Sequence, residues 1–268
     1  MKNTTINDVV AFLDATFHPE YQEDYDNAGF LLGDGATEYR GALVALDLTS
    51  EVVDEAIEKK VNLIVTHHPF IFSGLKRITD RSETGRMTMT LIQNGISVYA
   101  AHTNLDNLPW GVNGVLAQKL GLQNCHILQP SSFNSNPSTE IGAGMVGELP
   151  REMETDEFLL NVKNLINQPS IRTSKHNPNR KVKRVALCGG AGSFLISDAI
   201  AAGADIFLTA DLKYHDFQRA EGRIVIADAG HYETEQFAKE IISRTISEKF
   251  RNFAACISER QHAIVQYI

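Results

Sequence analysis

Val61-Asn62-Leu63-Ile64-Val65-Thr66-His67-His68-Pro69 is an apolar run that ends on a histidine pair. Upstream, Gly41-Ala42-Leu43-Val44-Ala45-Leu46 reads as a strand, and Ser50 opens a helix carrying Val52, Val53, Ala56 and Ile57 that leads into Val61. Short apolar runs without polar alternation are the pattern of strands buried on both faces. Strand, helix, strand in that order implies a parallel pair joined by a right-handed crossover. The stretch 41–69 therefore sets the fold class as α/β.

Two further runs end in the same way. Ile96-Ser97-Val98-Tyr99-Ala100-Ala101 runs into His102, with Asp106 four residues on, and Ile224-Val225-Ile226-Ala227 is followed by His231 and Glu235. Ligands of open α/β sheets gather in the crevice outside the carboxyl ends of the strands. Three segments thus deliver imidazoles and carboxylates to one sheet edge, the expectation for a two-metal hydrolytic or binding centre. Taken singly the signals are weaker. Adjacent strand residues face opposite ways, so His67 and His68 share a site only if the chain leaves strand geometry, which Pro69 favours. Residues four apart share a helix face, yet Asp106 or Glu235 can equally serve a helix N-terminus without any metal.

Working outward, Ile6 to Phe17 places Val9, Val10, Leu13 and Phe17 on one helical face, with Asn7 and Asp8 suited to its start. Met87 to Gln93 reads as helix ending at Gly95, and Val112 to Leu120 as a short helix stopped by Gly121. The character changes after Cys125, and Gln129 to Ser138 has the composition of a linker. Beyond it, 141–148 reads as strand, 155–166 as amphipathic helix, and Arg184 to Leu187 as the start of another strand.

The second half repeats the first. Val44-Ala45-Leu46, Ala56-Ile57 and Asn62 to Thr66 line up with Val185-Ala186-Leu187, Ala199-Ile200 and Asp205 to Thr209, at offsets of 141, 143 and 143 residues. One small insertion reconciles them, and His67-His68 then matches Ala210-Asp211. The same fold class imposes similar patterns by chance, but duplication is the reading adopted. It predicts two similar three-layer α/β lobes with the site in a cleft between them.

Composition narrows the function. The 268 residues carry 25 basic and 33 acidic side chains, a net charge of -8 that does not favour a phosphate backbone, so nucleic acid is an unexpected partner. The basic stretch Arg172 to Arg184 reads as a solvated loop. Three cysteines without a C-x-x-C pair fit a reducing compartment, and Cys188 and Cys256 read as core. No 18-residue apolar run or signal-peptide pattern occurs, so a cytoplasmic protein that does not engage membranes is expected.

Imidazole with carboxylate suits Zn, Fe, Mn, Ni or Co better than Mg or Ca. Two such ions bridged by a carboxylate, ~3.5–4 Å apart, acidify water and polarise a substrate oxygen. Gly189-Gly190-Ala191-Gly192-Ser193 follows a strand and can offer amides to an anion, or be a plain tight turn. In Asp211-Leu212-Lys213-Tyr214-His215-Asp216, Lys213 can meet a substrate phosphate and His215 can act as acid or base, or both can be exposed loop residues.

Thr66-His67-His68-Pro69, Ala101-His102-Thr103-Asn104-Leu105-Asp106 and Gly230-His231-x-x-x-Glu235 together resemble the Nif-three-like family, whose bacterial members often carry the name GTP cyclohydrolase 1 type 2 homologue. Asp26-Asn27-Ala28-Gly29, Val112-Asn113 and Leu116 to Gly121 fit it too, and the resemblance spans nearly the whole chain. It implies a duplicated α/β fold, a dinuclear metal centre and a toroidal homohexamer built as a trimer of dimers. Metal ligands map onto His67, His68, Asp106, His231 and Glu235, with His102 close by. The lobes would be 1–125 plus 230–268 and 126–229, in a compact form lacking the inserted domain of longer members. Expected roles are catalysis for His102 and His215, and substrate binding for Asn27, Gly190, Ser193, Asp211 and Lys213. The function implied is metal-dependent hydrolysis of a nucleotide or related heterocycle, with two ions drawn from Zn, Fe, Mn or Ni. The alternatives are a non-enzymatic metal carrier and a metal-dependent regulatory scaffold.

Overall fold

The computed structural model describes residues 3–131, 140–253 and 255–268. In chain order its helices and strands are α1 (Ile6–Phe17), β1 (Gly29–Leu32), β2 (Ala42–Ala45), α2 (Ser50–Glu58), β3 (Leu63–Thr66), α3 (Glu83–Gln93), β4 (Ser97–Ala100), α4 (Thr103–Asp106) and α5 (Val112–Lys119). They continue with β5 (Gln123–Pro130), β6 (Gly142–Glu154), α6 (Thr155–Leu165), β7 (Arg172–Thr173), β8 (Lys181–Ala191), α7 (Ile196–Ala201), β9 (Ile206–Ala210), α8 (Tyr214–Gln218), β10 (Val225–Asp228), α9 (His231–Glu235), α10 (Ala238–Lys249) and β11 (Ala255–Ile257).

The chain divides into two compact units, one of residues 1–105 and 238–262, the other of 106–237 and 263–268. These boundaries differ from the expected 125/126 and 229/230. The reason is packing: Leu116 and Ala117 of α5 and Phe237 beyond α9 sit in the second unit's core with Val185, Leu187 and Leu208. Residues 123–130 form β5, which pairs antiparallel with β6 and takes in Gln129 and Pro130, the first two residues of the expected linker. Most of the remaining expected linker falls in 132–139, outside the described residues.

In the first unit the sheet order is β1-β4-β3-β2-β11, with β2, β3 and β4 parallel and β1 antiparallel at the edge. Leu43, Ala45, Ile64 and Val98 face a cluster that includes Val52, Val53 and Ala56 of α2 and Leu91 of α3. Thr5 caps α1: its hydroxyl accepts from the Asp8 amide, and the Asp8 carboxylate accepts from the Thr5 amide at 2.8 Å. Such a reciprocal cap stabilises a helix start by about 1 kcal/mol. The final segment returns to this unit, because β11 lies parallel beside β2.

In the second unit the order is β5-β6-β8-β9-β10-β7, with β8, β9 and β10 parallel and β7 antiparallel to β10. Successive residues of these strands alternate between two cores. Val185, Leu187, Ile206, Leu208 and Val225 belong to one, Ala186, Cys188, Phe207 and Ile226 to the other. A period of two with both faces apolar is what a sheet covered on both sides requires.

Both units thus share three parallel strands flanked by an antiparallel edge strand. The register sharpens the repeat. Ala42 pairs with Leu63 as Val185 pairs with Ile206, so both positions lie 143 residues apart. No insertion is needed, and the 141-residue offset came from matching two apolar runs two residues out of phase. The units differ beyond β2 and β8, where one adds β11 and the other the β6–β5 pair. Cys256, expected in a core, is exposed at the edge strand β11, whereas Cys188 is buried.

Candidate metal centre

At the carboxyl end of β3 the ladder continues beyond the strand: the His67 amide donates to the Ala45 carbonyl and the His68 amide to the Leu46 carbonyl. The Thr66 hydroxyl then donates to the His68 carbonyl at 2.7 Å, and Pro69 follows. This local turn brings the two adjacent imidazoles to one side, with ring centroids 4.9 Å apart. His102, just past β4, stands 5.3 Å from the His67 ring and 5.4 Å from the His68 ring. One ligand atom of each falls within 4.8 Å of the others, so the three form a group able to hold a metal ion.

Each ring is oriented through its Nδ1. That of His67, a fully buried side chain, lies 2.7 Å from the Ala101 carbonyl oxygen. The His68 Nδ1 meets Asp47 Oδ1 and the His102 Nδ1 meets Asp26 Oδ1, both at 2.7 Å. A carbonyl or carboxylate oxygen only accepts, so each Nδ1 carries the proton. With the proton on Nδ1, the nitrogen such a ring offers a metal is Nε2. Oxygen acceptors behind metal-binding histidines fix tautomer and ring angle in this way. Asp26 is itself held. Burial opposes its charge, but hydrogen bonds from His102, Thr103 and the Asn27 amide outweigh that and bring its pKa down to about 2. Asp47 in turn accepts from Gln261 Nε2 at 3.4 Å, while Gln261 Oε1 accepts from the Leu46 amide.

The second unit has its own group of imidazole and carboxylate side chains. His231 opens α9; its Nδ1 meets Asp211 Oδ2 at 2.8 Å and its Nε2 meets Glu235 Oε2 at 3.0 Å. Glu235 is almost wholly buried, and a carboxylate oxygen of Asp106 lies within 4.8 Å of one of its own. Burial, together with the nearby charges of Asp106 and Glu235, pushes the Cys188 thiol well above its ordinary range, so no thiolate joins this set. Asn113 fixes the approach, donating to the Asp106 carbonyl and accepting from the Gly189 amide at 2.8 Å.

The amides of the glycine turn are engaged within the protein. Gly189, Gly190 and Ala191 end β8 at a register shift rather than forming a loop. The Gly190 amide donates to Thr234 Oγ1 at 3.0 Å and the Gly189 amide to Asn113, which leaves neither for an anion. Glycine is required at 190 for two reasons: its φ is +61°, and a Cβ there would stand 2.0 Å from Glu235 Oε1.

The structure also places the other expected site residues. Asp211, expected to bind substrate, orients His231 from a left-handed backbone position. Asn27 ties two loops together, its side-chain amide donating to the Ile71 carbonyl at 2.6 Å. The Ser193 carbonyl accepts from Arg219 at the foot of α7. Lys213 and His215 are exposed around α8, where the His215 Nδ1 meets Gln218 Oε1, and among the described residues His215 enters no metal-donor group. His102, expected as a catalytic neighbour of the ligands, forms with His67 and His68 a group able to hold a metal ion. Asp47 was missed. Its signal was available, because it follows the β2 run as His68 follows β3, and a strand-end carboxylate beside a strand-end imidazole marks an orienting pair.

The chain is therefore a duplicated α/β protein whose strand ends gather side chains able to hold metal. Comparison with known proteins makes this specific. The sequence profile of the Duf34/NIF3 (NGG1p interacting factor 3) family matches residues 4–263, and the chain belongs to that family. A Clostridium acetobutylicum protein named GTP cyclohydrolase 1 type 2 homolog is 35% identical over 228 residues, covering 84% of this chain and 83% of its own. A Clostridium perfringens protein of the same name is 33% identical, covering 91% and 92%. The crystal structure of a Staphylococcus aureus hypothetical protein superposes with a TM-score of 0.89 at 31% identity over 100% of both chains. No helix among the described residues is long and apolar enough to cross a membrane.

Proposed function

We propose that the protein is a dinuclear metal-dependent hydrolase acting on a nucleotide or related heterocycle. His67, His68, Asp106, His231 and Glu235 bind two divalent transition-metal ions, and His102 serves beside them. The observation that carries this is the triple Nδ1 anchoring: three imidazoles in one possible metal-donor group, each oriented by an oxygen acceptor at Nδ1. Mixed imidazole and carboxylate donors fit Zn, Fe, Mn or Ni. When bound, such ions supply Lewis acidity, polarising a substrate oxygen and acidifying water.

The chain's own residues have separable duties. Asp26 and Asp47 hold His102 and His68 in the ligating tautomer, and Asp211 does the same for His231. Glu235, buried and 3.0 Å from His231 Nε2, would be among the residues holding the metal and could take a proton from an attacking water. The name shared by the clostridial relatives suggests GTP as the first substrate to try, with water attacking C8 of the guanine and opening the imidazole ring. Assembly into a homohexamer and a cytoplasmic location belong to the same proposal.

The test is incubation of protein loaded with Fe, Mn, Zn or Ni with GTP. Formate or a ring-opened product, lost in His68→Ala, supports the hydrolase. No turnover with any metal, alongside stoichiometric and exchangeable ion, would move the reading to a metal carrier.

A further inference from the structure

Two large aromatic side chains stand in water beside the histidine group. Tyr25 is 63% and Phe72 49% exposed, and the residue beside each is tied by hydrogen bonds. Tyr25 immediately precedes Asp26, the carboxylate that grips His102, and Phe72 immediately follows Ile71, whose carbonyl accepts from Asn27. That hydrogen bond ties the two loops to each other. The Tyr25 and Phe72 rings lie side by side, with centroids 6.3 Å apart and planes 37° from parallel. Phe72 also meets the His102 ring edge-on, at 6.3 Å and 73°.

Fixed, exposed aromatic faces next to a chemical centre leave apolar area in water that a flat ligand would cover. We infer that Tyr25 and Phe72 form a stacking platform for a planar heteroaromatic ring held beside the His67–His68–His102 group. This rests on the hydrolase reading and names its substrate class by the face recognised: a purine or similar base, gripped by its π-surface. Stacking is tolerant of base identity, since every base has a π-face. Discrimination among bases is then left to other groups, and guanine, adenine and related rings compete for one place. A ring lying on Phe72 is next to the imidazole that borders it, which is why the platform serves the centre rather than a remote subsite.

The experiment measures equilibrium binding of GTP, guanosine and ribose 5-phosphate to metal-loaded protein, with metal content and assembly size recorded for every variant. Guanosine and GTP should bind and ribose 5-phosphate should not. Phe72→Ala should weaken both aromatic ligands about 5- to 150-fold, the range of one lost base–aromatic stack. Phe72→Tyr should keep binding, and Phe72→Leu, which keeps apolar volume but no π-face, should lose most of it. Tyr25→Phe should be silent and Tyr25→Ala should weaken binding in the same direction. Unchanged guanosine affinity in Phe72→Ala with full metal would overturn the platform, as would equal binding of ribose 5-phosphate. So would a change in assembly size in that variant without a change in ligand affinity, which would assign the rings to a contact between copies. Stacking without turnover would leave the platform standing and sink the hydrolase; turnover indifferent to both rings would do the reverse.

Discussion

Replacing Asp47 isolates the claim that the histidines are pre-set as ligands. Its Oδ1 lies 2.7 Å from His68 Nδ1, and its side chain is 24% exposed, so removing it strands no deeply buried charge. In Asp47→Ala the His68 ring can flip or place its proton on Nε2, and either event withdraws a ligand. Loss of such an orienting partner costs about 10- to 100-fold in metal affinity, roughly 1.4–2.8 kcal/mol. Asp47→Asn retains an oxygen that accepts from Nδ1 but not the charge, so it should fall between wild type and alanine. Gln261 contributes through Asp47, and Gln261→Ala should weaken metal binding in the same direction by less than Asp47→Ala. The assay is competition against a chromogenic chelator at fixed pH, with thermal unfolding of the metal-free proteins as the control on folding. Affinities for Asp47→Ala within twofold of wild type, with the fold intact, would refute the orienting role.

Four further outcomes are expected. Gly190→Ala should cost about 1–2 kcal/mol for its left-handed backbone and displace Glu235, reading out as a lower denaturant midpoint and less bound metal. Glu55 is buried and accepts from Ser258, the Glu259 amide and the Arg260 amide, interactions that outweigh desolvation and hold its carboxyl below the ordinary value. Its contribution is therefore present above the ordinary glutamate range and lost as pH falls through the depressed value. Glu55→Gln should lower stability by about 1–3 kcal/mol at neutral pH and flatten the acid limb of the unfolding curve. Phe207→Ala, deep in the second unit, should cost about 3–5 kcal/mol in chemical denaturation. His215→Ala should leave metal content unchanged, because the ring is exposed on α8 and bonded to Gln218.

Much of the scaffold was legible because buried parallel strands advertise themselves. The runs at 42–45, 63–66 and 97–100 are mostly apolar and lead within two residues to Asp47, His67 and His102, so strand, direction and site edge come together. The helix at 6–17 followed from its apolar face, and Asp8, suited to its start, completes the capping box with Thr5. What stayed hidden was mostly relational. β5 contains Asn124, Gln129 and Pro130, poor strand formers whose state is set by pairing with β6. The glycines at 189 and 190 left an anion site and a plain tight turn both open, because sequence shows permissive backbone and not the Glu235 side chain packed against Gly190. Asp26, Asp47 and Asp211 are unremarkable acids in sequence; only distance to an imidazole reveals what they do.

The most direct test of the metal proposal is elemental analysis of anaerobically purified full-length protein, beside His68→Ala and Glu235→Ala prepared identically. Two transition-metal ions per chain in the wild type, falling in both variants while each remains folded, are predicted. Absence of transition metal in the wild type after reconstitution, or content indifferent to both substitutions, would contradict it.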